Sequence, residues 1–292
     1  MPTRIVLLIL DGVFLAFVLS ILTIGHDFKK GPMKNGWRKW IIFFMYHVCC
    51  SFYLFVAGMS TSLNYKDVDY EYYLGPNYKQ NAKKIKRTST IVSNHVSWLD
   101  PVILIKNVRP AFAPSDEFRG VPLLGTMIDV IDSIYIPRGG SDESKAKALM
   151  SIRDRQELIE QTGQYAPFLI FAEAGTSNGS HILQLKKGAF FAEKTVRPLY
   201  MKYKWRTVSP AFEVMEFLPL AIIHLSWACF QCEVTVLPDF QPNDYLFETH
   251  KDKGNERWEI FAWAVRDIMC ANGDFEKSNL SLRKKIEYEA YM

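Results

Sequence analysis

The chain has 292 residues, 49% of them hydrophobic and 23% charged, which excludes a disordered or collagen-like polymer and leaves room for a sizeable buried core. Its net charge of +4 arises in residues 1–64, where Arg4, Lys29, Lys30, Lys34, Arg38 and Lys39 face only Asp11 and Asp27; the rest balances at 29 against 29. A basic excess confined to an apolar segment fits an anionic lipid surface and not nucleic acid, which calls for a basic stripe on the folded domain.

Two apolar segments open the chain. Residues 5–24 are interrupted only by Asp11, Gly12, Ser20 and Thr23, and residues 40–60 carry no formal charge. Each is long enough to cross about 30 Å of hydrocarbon as a helix. The linker between them, 25–39, is basic, is broken by Gly31-Pro32, and places Trp37 and Trp40 like interface anchors. Residues 1–64 therefore read as a membrane hairpin. The first segment lacks the small-residue cleavage pattern of a signal peptide. Because the stretch after the hairpin is also basic, a shallow re-entrant hairpin satisfies the charge pattern as well as a spanning one. An integral membrane protein of the endoplasmic reticulum or the mitochondrial inner membrane fits this plan.

From residue 88 onward, short β-branched or aromatic runs alternate with helical stretches, the mark of an α/β domain with a sheet covered on both faces. The predicted strands are 88–93, 110–113, 133–137, 167–172, 196–202 and 233–237. A helix over 141–161 has Ser141 as N-cap, Asp142 and Glu143 in its first turn, and Gly163 just past its end. Another runs from Asn255 as cap to Gly273 as stop, with Trp258, Phe261, Val265, Ile268 and Met269 on one core-facing stripe. The apolar run 217–230 is too short to span a bilayer and suits an interfacial or buried helix. These signals divide the chain into a hairpin at 1–64, an α/β domain at 65–275 and a polar tail at 276–292.

Five cysteines at irregular spacing, an odd number, do not make a disulfide scaffold. Cys229 and Cys232 form a CxxC without the second ligand pair that zinc needs, so no metal is expected.

Chemistry concentrates at Ser93-Asn94-His95-Val96-Ser97-Trp98-Leu99-Asp100, where a strand hands over to a helix. An imidazole takes a proton near neutral pH, and a carboxylate on its far nitrogen fixes its tautomer. Residues five apart on a regular helix lie roughly 140° apart. His95 should therefore precede the helix, with Asp100 in its first turn.

With these two residues in place, the later landmarks resemble the glycerolipid acyltransferase family, which includes the lysophospholipid and glycerol-phosphate acyltransferases. Ile134-Tyr135-Ile136-Pro137-Arg138 is similar to the family's second block, and Phe171-Ala172-Glu173-Ala174-Gly175-Thr176-Ser177-Asn178 to its third. Val196-Arg197-Pro198-Leu199 is similar to the fourth. The similarity spans about 87–272 and looks closest to the lysophosphatidylcholine acyltransferase branch. It implies a central mixed sheet flanked by helices, and acyl transfer from acyl-CoA to the free hydroxyl of a lysophospholipid. By the same resemblance His95 is the general base and Asp100 orients it. Asn94, Ser97, Arg138, Glu173, Gly175, Thr176, Lys186 and Pro198 shape the substrate site. Acyl-CoA is a co-substrate, no cofactor is implied, and the partners are membrane lipids. One departure stands out: Ala174 follows the Glu where the family has Gly, and Ala172 takes the place of a usual Pro.

Two other readings remain at this point. An altered third block fits a family member retained as a structural or lipid-binding subunit of a larger membrane complex. Gly175-Thr176-Ser177-Asn178-Gly179 also reads G-x-S-x-G, the nucleophile elbow of serine hydrolases, with Asp239 or Asp244 and then His250 as triad partners in order.

Overall fold

The computed structural model describes residues 2–34, 36–82, 87–121, 123–137, 141–212, 215–227, 229–278 and 287. Two long helices, α1 (Pro2–Leu22) and α2 (Trp37–Val56), precede strand β1 (Met59–Tyr65). Short helices α3 (Glu71–Leu74) and α4 (Tyr78–Ala82) lead to β2 (Thr90–Ser93), followed by α5 (Asp100–Val108), α6 (Leu124–Val130) and α7 (Asp142–Thr162). The chain continues through β3 (Phe168–Phe171), β4 (His181–Ile182), β5 (Val196–Trp205), α8 (Phe217–Trp227) and β6 (Phe230–Val236). It ends its described part with α9 (Asp244–Thr249), α10 (Arg257–Gly273) and β7 (Glu276–Lys277).

The main sheet has the order β1-β6-β5-β2-β3. All its pairs are parallel except β5 with β6, so the sheet is mixed. Alternation along the strands divides the core in two, because successive side chains point to opposite faces. Val92, Ile170 and Tyr200 join Phe261, Val265, Ile268 and Met269 of α10 on one face. Ile91, Leu169, Leu199 and Met201 join Leu99, Ile103 and Leu104 at α5 and Leu54 of α2 on the other. This is the expected α/β domain with helices on both faces.

Several local expectations shift. Residues 110–113 and 133–137 make single bridges, Ala111 to Phe168 and Ser115 to Ile136. Pro110 and Pro114 lack the N–H that a regular ladder needs there. The α7 caps match the sequence: Ser141 Oγ accepts from Ser144 N–H, and Gly163 takes the left-handed conformation at φ 62°. Helix α10 instead starts on Glu256, in a capping box with Glu259, and stops on Asp274 at φ 54°. Reciprocal carboxylate bonds satisfy two otherwise orphaned N–H groups, which a single Asn255 cap does not. The strand β1 was not expected. Gly58, at φ 77°, ends α2 and turns the chain into a polar edge strand along β6.

Helices α1 and α2 pack antiparallel, with Leu19 and Ile42 at one end and Leu8 and Val56 at the other. Both are long and apolar enough to cross a membrane. Their outward faces leave Ile9, Leu10, Phe14, Phe17, Phe44 and Phe55 exposed, an apolar area that lipid suits better than water. The inward face of α2 packs on α5 and the end of α6. A buried ion pair fastens this junction: Lys39 Nζ lies 3.1 Å from Asp132 Oδ2, with side-chain exposures of 8% and 1%. Removing one member of such a pair strands the other charge without water. Replacement of Lys39 by Met is therefore expected to cost about 3 kcal/mol or more, read as a lowered thermal midpoint in detergent, with Asp132→Leu in the same chain restoring much of it.

Candidate active site

Strand β2 ends at Ser93, and the turn that follows is held by its own residues. Asp100, the first residue of α5, has no solvent exposure, and its Oδ2 accepts from Val96 N–H at 2.7 Å, Ser97 N–H at 3.0 Å and the His95 ring at Nδ1, 2.7 Å. Its other oxygen, Oδ1, accepts from the Tyr203 hydroxyl on β5. His95 precedes the helix and keeps 22% of its side chain exposed. Its ring stacks on Phe171, the last residue of β3, with centroids 4.0 Å apart. A carboxylate at Nδ1 selects the tautomer with a proton on that nitrogen and a lone pair on Nε2.

The residues around this pair are engaged with the protein itself. The Asn94 amide is buried and bonds both N–H and C=O of Met201 on β5, at 2.8 and 3.0 Å. It continues the β2–β5 contact beyond the last register pair, Val92 with Pro198. Pro198 sits buried in β5 and offers its carbonyl to Leu237 N–H. Ser97 is buried, with Oγ accepting from Leu99 N–H.

The third sequence block clamps the His95 backbone. Glu173 is fully buried, and its two oxygens accept from His95 N–H at 3.0 Å and Leu183 N–H at 2.8 Å. Ser177 N–H donates to the His95 carbonyl at 2.8 Å. Thr176 Oγ1 donates to the Phe212 carbonyl, while Phe212 N–H donates to Val96 O. Gly175 belongs to the turn between these clamps, and Lys186 is half-buried with its N–H on the Ala172 carbonyl. Ala174 adopts φ 62°, a left-handed conformation that costs a residue with a Cβ about 1 kcal/mol relative to Gly. The chain thus keeps at 174 a backbone conformation that favours Gly while carrying Ala. Arg138 lies outside the described residues.

The serine-hydrolase reading fails on geometry. Ser177 Oγ contacts the His181 carbonyl and Gly179 N–H. Asp239 forms a bidentate pair with Arg197, Asp244 opens α9, and the His250 ring bonds the Tyr72 carbonyl. Among the described residues these do not form a triad.

Residues 217–230, expected to form an interfacial or buried helix, form α8 only over Phe217–Trp227, with Phe230 already in β6. Leu225 packs with Leu8 and Val56 of the hairpin, and Arg4 donates to the Leu225 carbonyl. Phe217, Leu218 and Ile222 are exposed. On its inner side His224 accepts from Trp98 Nε1–H at 3.0 Å through Nδ1 and donates Nε2–H to Ser209 O at 2.9 Å. A tryptophan can only donate, so this His must be neutral. Neither this link nor the Tyr203 contact is expected from the sequence motifs. For Tyr203 the usable signal was strand alternation, which puts it on the face of Leu199 and Met201.

Residues 77–202 match the family model described as Acyltransferase. The chain is 27% identical over 212 residues to the lysophospholipid acyltransferase LPEAT1 of Arabidopsis thaliana, covering 70% of this chain and 50% of that protein. It is 24% identical over 220 residues to the lysophosphatidylcholine acyltransferase of Drosophila melanogaster, covering 75% and 38%. Over residues 77–202 the chain thus resembles acyltransferases. It spans about half the length, or less, of these curated relatives. The domain's fold is also that of the crystal structure of the 1-acyl-sn-glycerophosphate (LPA) acyltransferase PlsC from Thermotoga maritima, at TM-score 0.52 and 14% identity over 95% of this chain and 99% of that one.

Burial lowers the pKa of His224, against a smaller opposing effect of its bond to Ser209. The native state then holds fewer protons than the unfolded chain below about pH 6.5, so this contribution to stability is present above that pH and is lost as the pH falls. Stability is expected to decline on going from pH 7 to pH 5 with a share of up to about 1.4 kcal/mol per pH unit from this one group. Thermal midpoints across that range should show a shallower slope in His224→Gln.

Proposed function

We propose that the protein transfers an acyl group from acyl-CoA to the free hydroxyl of a lysophospholipid at a membrane surface. One observation carries this reading: a partly exposed imidazole whose Nδ1 is bonded to a carboxylate with no exposure at all. Among the described residues nothing bonds His95 Nε2, which leaves its lone pair for an incoming hydroxyl. The acceptor hydroxyl gives its proton to Nε2 as its oxygen attacks the thioester carbonyl. The tetrahedral intermediate collapses with loss of the CoA thiolate, which the imidazolium proton can neutralise. Asp100 stabilises the imidazolium and holds the ring in place. The reaction so written calls for no metal, and acyl-CoA is consumed as a co-substrate.

The lipid-facing elements support the choice of substrate. Helix α8 joins the hairpin at Leu225 and the His95 turn at Trp98, so an acceptor moving in the bilayer plane has a short path to the imidazole. The membrane in question is that of the endoplasmic reticulum or the mitochondrial inner membrane. The second reading, a non-catalytic subunit of a membrane complex, draws on the Ala174 departure and predicts a different outcome in the same assay. Purified protein supplied with acyl-CoA and a panel of lysophospholipids should turn over, and His95→Ala should lower kcat by about 10²-fold to 10⁴-fold. Absence of turnover in the wild type, or turnover indifferent to His95→Ala, would overturn the proposal.

A further inference from the structure

Asp100 has two oxygens, and the mechanism above uses one. Oδ2 already serves three donors, the His95 ring and two backbone N–H groups. Oδ1 faces β5, where Leu199 and Met201 belong to an apolar core, and takes the Tyr203 hydroxyl. We infer that Tyr203 is a positioning residue for acyl transfer, its hydroxyl fixing the rotation of the Asp100 carboxylate so that Oδ2 stays aimed at His95 Nδ1.

Without that donor, a carboxylate oxygen would be buried with no water and no partner, and the group would gain by rotating or by drawing a proton. Either change weakens its hold on the imidazole. The antiparallel register sets Cys232 of β6 directly opposite Tyr203, and the Cys232 thiol hydrogen-bonds the same phenol. Burial first, and then the Asp100 charge, push the Tyr203 phenol well above its ordinary value. It is therefore a neutral donor throughout the working range, and no proton leaves it. Tyr203 falls one position beyond 202, where the family match ends, and belongs to none of the sequence blocks. The inference rests on the reading of His95 as the base.

Tyr203→Phe in the full chain deletes one oxygen and keeps the ring and its packing. Two measurements test it. In proton NMR of the protein in detergent micelles, the His95 Nδ1–H resonance, assigned by its loss in His95→Ala, is expected to move upfield, since a carboxylate that rotates or takes a proton accepts less strongly from the imidazole. With acyl-CoA and lysophosphatidylcholine, kcat is expected to fall about tenfold while KM for both substrates stays within about twofold. An unmoved resonance overturns the inference whatever the turnover. So does a raised KM at unchanged kcat, which is what a purely structural role would produce. A wild-type protein without turnover refutes the acyltransferase reading instead, and the resonance still decides the case of Tyr203.

Discussion

A carboxylate removed from water is stable as an anion only if donors replace its hydration, and at Asp100 those donors come from two separate pieces of the fold. The turn 95–97 supplies two backbone N–H groups and the imidazole, and β5 supplies a phenol. The bonds therefore settle several things at once. They start α5, turn the chain sharply out of β2, and tie the turn to the middle of the sheet. Asn94, bonded to both backbone groups of Met201, does the same one residue earlier. The His95 backbone is then closed from the other side by Glu173 and Ser177. An imidazole on a loop is ordinarily mobile; here both its backbone and its ring are held, which is the condition for proton transfer with little reorganisation.

The same turn is fastened to the lipid-facing side of the molecule. Trp98 reaches His224 of α8, Val96 and Thr176 both bond Phe212, and α8 leans on the two N-terminal helices. The hairpin is in turn seated on the domain through α5, α6 and the buried Lys39–Asp132 pair. The apolar exterior and the His95 turn are thus linked through one continuous set of contacts.

Much of this was legible in the residues because it is local. The strand-to-helix handover, His95 outside and Asp100 inside the first turn, and the α7 caps at Ser141 and Gly163 all follow from neighbours in sequence. What escaped notice depends on pairing between distant segments. Strand β1 is polar and short of apolar alternation, and is a strand only because β6 lies beside it. Tyr203 meets Asp100 only because β5 and β2 are neighbours. Glu173 looks the same in sequence whether it turns toward substrate or inward, and the fold turns it inward to hold His95 and Leu183. The third block, altered at 172 and 174, thereby keeps its clamping bonds through Glu173 and Ser177, and Ala174 follows the left-handed path that glycine takes without cost.

The most direct measurement is kcat of Asp100→Asn in lipid vesicles, with acyl-CoA and a lysophospholipid at saturation. An amide preserves the size of the side chain but removes the charge that stabilises an imidazolium, so the account predicts a fall of about 10²-fold or more with little change in KM. A variant that keeps kcat within about threefold of the wild type would show that the buried carboxylate does not serve the base, and would contradict the account.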